Sequence, residues 1–455
     1  MPDSDQTMAS IINGSWSGVI EFDVPVPVVI RLRNDRSGLS GLSDFPQHRR
    51  ADIPLRELSF EHGLLRFTTN SFGAYAGQFS AAGPAIAGAF SKDGKRYPLT
   101  LRPGDNNFSA QLRPQTPRAP FPYVVENVLV DNVTDNCQLA GTLTIPNGKI
   151  AAVALLIPGS GPMDRDETVF AHKPFWVIAD HLSRHGYAVL RLDDRGVGDS
   201  TGDRSAITVD DEARDVAAAL DYLQQRADLA GLPTGLIGHS MGGVIGMTVA
   251  AHGSIAFLIL MAAPGLTVGE AFADRECEQL KAQGISTAAI ARHDEFTRAL
   301  YRDLAERRPD EAIDESQFAA LADRYAAAET ATVHNTAEWL SRFNEPWFRS
   351  ALRLIPAHIL RQVKAPVLAI NGSRDQQTRA SSNLNAIARA LATSGNARVE
   401  TIEFAGLNHL FQTCSTGAVF EYPAIEETFA PVALEAIVNW LDALAVDSQR
   451  SKTPE

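Results

Sequence analysis

Cysteine is scarce in this chain of 455 residues: Cys137, Cys277 and Cys414 are the only three, odd in number and far apart. That spacing argues against a disulfide framework and a cysteine-ligated metal cluster, and leaves the thiols the role of small buried apolar residues. Long apolar runs are missing too, since no stretch approaches the ~18 residues that a membrane span needs. Positive charge is in deficit, with 41 Lys and Arg against 54 Asp and Glu and a net charge of −13. Nucleic acid is therefore not expected as a partner, because phosphate binding wants a basic face. The first residues, Met1-Pro-Asp-Ser-Asp-Gln6, carry neither a basic nor an apolar signal region. The expectation is a cytoplasmic protein, or an exported one whose leader was removed. What remains is an ordinary globular composition at a length that suits two or three domains.

The chain is organised around Gly235-Leu-Ile-Gly-His-Ser-Met-Gly-Gly-Val-Ile-Gly246. A short apolar run enters it and a run of small and apolar residues leaves it, which reads as strand, sharp turn and helix. Inside lies Gly238-His239-Ser240-Met241-Gly242, the G-x-S-x-G pattern whose small residues let the backbone hold a strained serine out of the turn. Its hydroxyl would sit at a helix N-terminus, where backbone N–H groups and the helix dipole favour a developing oxyanion. The chain also supplies a decoy, Gly198-Asp-Ser-Thr-Gly202, but Ser200 follows and precedes polar residues. No strand is expected to enter the decoy and no helix to leave it, so Ser240 is the candidate nucleophile.

Around this stretch the texture changes along the chain. Residues 14–103 read as all-β, with short β-branched and aromatic segments at 16–22, 26–32, 64–69, 75–79 and 86–90 separated by turn residues, a small sandwich or partial barrel. Pro114, Pro117 and Pro120 mark a semi-extended linker. From Ile150 onward, near-continuous apolar strands alternate with helical patterns, including a helix opened by Thr208 with Asp211 three residues on. That alternation means a doubly wound, mostly parallel sheet with its active site at the carboxyl ends of the strands. About a hundred helical residues follow the strand at 257–261 and would form a cap. The expected domains are 1–105 (all-β), 106–122 (linker), 123–266 with 366–448 (α/β) and 267–365 (helical cap). Phe296, Trp339, Phe343, Trp347 and Phe348 either line a substrate pocket beneath the cap or form the cap's own core.

A serine hydroxyl needs a base within hydrogen-bond reach, itself oriented by a carboxylate. The chain order that accompanies this elbow is Ser, then Asp or Glu, then His. Asp375 follows the strand at 367–370 and His409 the strand at 399–404, both just past a carboxyl end. His172, His181 and His185 break that order, Asp193 and Asp194 are rivals for the acid, and His239 is expected to point away from the serine and pack. Of the two oxyanion donors, one is the N–H of Met241. The other belongs to the loop Pro158-Gly-Ser-Gly-Pro162, with Ser160 favoured and Gly161 next.

These residues carry a resemblance. Pro158-Gly-Ser-Gly-Pro-Met-Asp-Arg-Asp166, Arg191-Leu-Asp-Asp-Arg-Gly-Val-Gly-Asp-Ser-Thr201, Gly238-His-Ser-Met-Gly-Gly243, Asn371-Gly-Ser-Arg-Asp375 and Leu407-Asn-His-Leu-Phe-Gln412 make the chain resemble the α/β-hydrolase superfamily, in its branch of bacterial serine esterases with an N-terminal all-β domain. The resemblance spans residues 114–444. It implies a catalytic triad of Ser240, Asp375 and His409, a small-molecule ester as substrate, and neither a metal nor an organic cofactor. Met241, where the family pattern is acidic, and Gln376-Gln377-Thr378, where it is more apolar, bear on substrate preference more than on mechanism. Peptidase, thioesterase and lactonase activity on the same residues, a non-hydrolysing binder on this scaffold, and self-association into a homo-oligomer stay open.

Overall fold

The computed structural model describes residues 12–21, 26–35, 38–45, 50–69, 73–80, 84–92, 95–104, 113–282, 284–308, 311–324 and 336–450. The chain start, Phe22, the turn at 93–94, residues 106–112 of the expected linker and residues 283, 309–310 and 325–335 of the expected cap lie outside that set. The chain divides into two compact units: residues 1–113 with 169–172, and residues 114–168 with 173–455.

In the second unit, among the described residues, eight strands, β10 (Tyr123–Asn132), β11 (Cys137–Pro146), β12 (Ala152–Ile157), β13 (Tyr187–Leu192), β14 (Thr234–His239), β15 (Leu258–Met261), β16 (Val367–Gly372) and β17 (Val399–Phe404), form one sheet in the order β10-β11-β13-β12-β14-β15-β16-β17. β10 and β11 join antiparallel, as do β11 and β13; every later pairing is parallel. The apolar runs follow from this arrangement. β12 (Ala152–Ile157) and β16 (Val367–Gly372) are buried at all six positions, because helices cover both faces of a parallel sheet. Side chains still alternate: Val153, Leu155 and Ile157 enter the core on one face, while Ala152, Ala154 and Leu156 enter the core on the other. The helix Val209–Gln225 starts on the anticipated capping box, with Thr208 accepting from the Asp211 N–H and Asp211 accepting from the Thr208 N–H at 2.7 Å.

This order positions the site. β12 has β13 on one side and β14 (Thr234–His239) on the other, so the winding reverses beside it. The loops leaving β12 and β14 therefore part and open a crevice at the strand ends. Between β15 (Leu258–Met261) and β16 runs a helical insertion: Val268–Ala282, Thr287–Glu306, Glu315–Arg324, Thr336–Phe343, Pro346–Leu352 and Pro356–Leu360.

The strands of the first unit, β1 (Gly14–Ile20), β2 (Val26–Asp35), β3 (Gly38–Phe45), β4 (Arg50–Pro54), β5 (Arg56–Glu61), β6 (Leu64–Thr69), β7 (Gly73–Ser80), β8 (Ala85–Lys92) and β9 (Lys95–Pro103), pair antiparallel among the described residues, in the order β4-β3-β2-β1-β9-β8-β7-β6-β5. β4 and β5 are neighbours in sequence yet stand at opposite ends of that order. The sheet must therefore curl on itself, while Leu55, the one residue between the two strands, still continues the ladder of β3 with β4, its N–H donating to the Gly41 carbonyl at 2.9 Å. Trp16, Phe67, Tyr75 and Phe90 fill its core.

Candidate active site

The sharp turn at Ser240 is enforced by space. A Cβ at position 238 would stand 2.3 Å from the Gly242 carbonyl oxygen, and one at 242 would stand 2.2 Å from the Ile157 carbonyl oxygen. Only glycine lets β14, the turn and β12 approach this closely. Ser240 takes up the strain, with φ at 52° and ψ at −121°, a backbone region that residues with a Cβ seldom adopt. Its N–H is anchored on the Met261 carbonyl at 2.8 Å. The helix Met241–His252 begins at the next residue, and the Ser240 hydroxyl makes no capping bond to it.

Asp375 closes a tight turn after β16, its N–H donating to the Gly372 carbonyl at 3.0 Å. One carboxylate oxygen accepts the Gln377 and Thr378 N–H groups at 2.7 and 2.8 Å. The other meets His409 Nδ1 at 2.8 Å, with the Asp375 side chain fully buried. His409 stands on a loop held by Asn408, whose side-chain oxygen accepts from the Leu410 and Gln412 N–H groups and whose amide donates to the Gln412 side chain. Burial holds the His409 pKa below its ordinary value, against the pull of the Asp375 charge. Among the described residues neither His409 Nε2 nor the Ser240 hydroxyl has a hydrogen-bond partner, and the two do not bond each other.

What joins the two loops is a pair of residues beside the expected ones. His239, next to Ser240, faces Glu167 through Nδ1 at 2.8 Å and the His409 carbonyl oxygen through Nε2 at 3.0 Å. Glu167 also accepts the Gly159 N–H at 2.7 Å. The expectation that His239 merely packs is thus corrected: its ring is buried, but both nitrogens are engaged. Burial pushes the His239 pKa down, and the Glu167 charge with the two hydrogen bonds outweighs it, so the net direction is upward.

With the Gly159 amide committed to Glu167, the next amide in that loop belongs to Ser160. The N–H groups of Ser160 and Met241 donate to no protein group among the described residues. A Cβ on Gly159 would touch the Ser240 Cβ at 3.3 Å, so the β12 loop and the elbow are in contact. A cavity of about 50 Å³ adjoins the loop, lined by Ile157, Pro158, Gly159, Asp194, Glu212 and Ile245 among others. Burial pushes the Asp194 carboxyl well above the usual range, and Glu212 upward too.

The rivals are engaged elsewhere. Asp193 is clamped by Arg165 at 2.6 and 3.0 Å, Asp194 accepts the Met163 N–H at 2.9 Å, and His185 Nδ1 faces the His181 carbonyl at 2.7 Å. His181 reaches Glu435 at 3.7 Å, and His172 falls in the 169–172 segment grouped with the first unit. The aromatic side chains of the insertion pack on one another, with ring centroids 6.3 Å apart for Phe296 and Trp339, 5.2 Å for Trp339 and Phe343, and 5.7 Å for Phe343 and Phe348. They form the insertion's own core. Trp347 differs, since its indole N–H donates to the cavity residue Glu212 at 2.8 Å.

A family model described as "Alpha/beta hydrolase family" matches residues 154–421, more than half of the chain, a span that includes Gly159, Glu167, His239, Ser240, Asp375 and His409. The chain belongs to the alpha/beta hydrolase family. Within that family it is similar to Esterase EstD of Thermotoga maritima, 31% identical over 151 residues that cover 33% of this chain and 36% of that protein. The match thus spans about a third of the curated relative's length. Among solved structures, the Pyrococcus furiosus esterase Pf2001 matches at 16% identity over 71% of this chain and 90% of that one, with a TM-score of 0.44. The proline iminopeptidase of Mycobacterium smegmatis matches at 16% identity over 71% and 100%, also at 0.44.

Glu167 is the residue that sequence reasoning missed. It stands one position beyond the motif Pro158–Asp166, among Asp164 and Asp166, and nothing local distinguishes it from them.

Proposed function

We propose that this chain is a serine hydrolase that cleaves carboxylic esters through an acyl-enzyme. The observation that carries the reading is the buried 2.8 Å contact between Asp375 and His409, on loops beside a serine strained at φ 52°, in a member of a hydrolase family. The relative named an esterase adds support for an ester substrate.

His409 Nε2 takes the Ser240 proton as Oγ attacks the ester carbonyl, while Asp375 holds the imidazole through Nδ1. The oxyanion is held by the Ser160 and Met241 N–H groups, with Gly161 the next donor in the loop. His409 returns the proton to the leaving alcohol; water, deprotonated by His409, then adds to the acyl-enzyme and releases the acid and Ser240. The Ser240–His409 hydrogen bond forms as the substrate closes the site. On this reading residues 123–266 and 366–448 are the catalytic domain and 267–365 its cap. Ser240→Ala, assayed on a panel of aryl esters and with a fluorophosphonate probe, is expected to lose turnover and labelling together. Undiminished turnover in a folded variant refutes the reading.

A further inference from the structure

His239 and Glu167 have no step in that mechanism, yet both are buried, 4% and 2% exposed. They are also far apart in sequence, and Glu167 sits at φ 51°, a strained setting for a residue with a Cβ. A buried carboxylate and imidazole in this position ask for a reason.

The hydrogen-bond partners point to a charged pair. His239 Nε2 faces the carbonyl oxygen of His409 at 3.0 Å, and a carbonyl can only accept, so Nε2 carries a hydrogen. His239 Nδ1 faces Glu167 Oε1 at 2.8 Å, and that same oxygen accepts the Gly159 N–H at 2.7 Å. With Glu167 ionised, that oxygen accepts the amide proton on one lone pair and the Nδ1 hydrogen on the other, so Nδ1 carries a hydrogen as well, in line with the raised His239 pKa. An imidazole protonated on both nitrogens is a cation, and Glu167 is its counter-ion. The cation stands close to the triad base: the His239 and His409 rings lie 4.7 Å apart, centroid to centroid.

We propose that Glu167 and His239 are a charged positioning pair for the triad, tying the oxyanion loop at Gly159 to the backbone of His409 and setting an imidazolium against the His409 ring so that His409 rests as the neutral base. This deepens the serine-hydrolase reading and rests on it. Two consequences follow from the one pair. A single rigid chain of hydrogen bonds runs from Gly159 through Glu167 and His239 to His409, so the oxyanion donors and the base keep one register. The charge also opposes that of Asp375, which on its own draws a proton onto His409. The other groups facing His409 are Glu167, whose charge is offset by the imidazole in front of it, and Tyr422, whose buried phenol stays un-ionised. The directions agree: His239 is raised and His409 lowered.

The test uses the full chain labelled with ¹⁵N at histidine. Long-range ¹H–¹⁵N spectra at pH 8 are expected to show one imidazole protonated on both nitrogens and missing from His239→Gln; a His239 that is neutral at pH 8 overturns the proposal. In His239→Gln the titration of His409, followed through its ring proton, and the acidic limb of kcat/KM on an aryl ester should both move up by about one pH unit. The plateau kcat should fall by roughly tenfold or more as the loops lose their common register. Glu167→Gln keeps an oxygen for the Gly159 N–H but removes the charge, and serves where the histidine variant folds poorly. In it, His239 should drop its second proton and the His409 titration should again move up. Unshifted titrations in both variants, with only stability or rate reduced, mean a merely structural pair and sink the proposal. The spectra need no turnover, so the two readings separate. If Ser240→Ala retains activity the hydrolase reading fails while the titration still decides the coupling; if Ser240→Ala is dead and the titrations stay put, the positioning pair alone fails.

Discussion

Two segments of this chain spell G-x-S-x-G, and they use the pattern for opposite purposes. In Gly198-Asp-Ser-Thr-Gly202 the glycines carry the positive φ, 55° and 103°, and the serine is at ease. Ser200 is buried, its hydroxyl donating to the Asp193 carbonyl and accepting the Ala140 N–H, each at 2.8 Å. In Gly238-His-Ser-Met-Gly242 the glycines make room and the serine carries the positive φ. The Ser240 hydroxyl is bound to nothing among the described residues. A pattern of letters therefore says little until one asks which residue bears the strain: strain on glycine is an ordinary turn, whereas strain on the serine is a site that the rest of the fold must hold in place.

Substitution breaks the comparison most sharply at the strained serine and the carboxylate that orients its base. Ser240→Ala is expected to lower kcat by about 10⁴-fold to 10⁶-fold, judged by what removal of such a nucleophile costs elsewhere. Asp375→Asn should follow at about 10⁴-fold, since an amide cannot hold the imidazole in the same tautomer. Steady-state rates on one aryl ester check both, and a loss under tenfold at either position removes that residue from the mechanism.

The glycines come next. An alanine at 242 would drive its Cβ into backbone oxygens at 2.2 and 2.4 Å, which no side-chain rotation relieves, so Gly242→Ala should destabilise by about 3 kcal/mol or more and abolish activity in whatever folds. An alanine at 202 meets the Arg195 side chain at 2.6 Å and a φ of 103°. Its cost should be nearer 1–3 kcal/mol, with activity per folded molecule kept. Urea unfolding of the two variants distinguishes space from backbone handedness as the reason for glycine; equal costs would erase the distinction.

How much of this was legible depended on whether the signal was local. The elbow, the capping box at Thr208 and Asp211, and the strand ends carrying Asp375 and His409 each announce themselves within a few residues. Ser240, Asp375 and His409 could be nominated because chain order links them without any knowledge of distance. Glu167 could not, since its partner His239 lies 72 positions away and the choice among Asp164, Asp166 and Glu167 is made by the fold alone. His239 was misread for a related reason: strand alternation says which way a side chain points, not what waits for it there. In the first unit, β3 (Gly38–Phe45) went unnoticed because Gly, Ser and Leu have little strand preference of their own and are recruited by their neighbours. In the insertion, rings at helical spacing suit a pocket or a core equally well, and only packing separates them.

A pH profile sharpens the comparison from the side of the base. With burial holding His409 below the ordinary value of about 6.5, its neutral form persists to lower pH, so the acidic limb of kcat/KM should fall below pH 6.5. A limb above that value would mean that the Asp375 charge prevails over burial.

The smallest effect belongs to the decoy. Ser200→Ala removes a hydroxyl that both donates and accepts within the buried junction of Ala140 and Asp193, and leaves the Ala140 N–H without its partner. An orphaned buried donor of this kind costs about 1–3 kcal/mol, read as a lowered urea midpoint at unchanged slope. Catalysis should not notice: rates per folded molecule are expected to stay within twofold of the parent, because among the described residues neither Ala140 nor Asp193, the partners of the Ser200 hydroxyl, hydrogen-bonds Ser240, Asp375 or His409. A large loss of kcat in folded Ser200→Ala would mean that the loop after β13 takes part in the chemistry, and the distinction between a serine that bears strain and one that merely fills a turn would have to be given up.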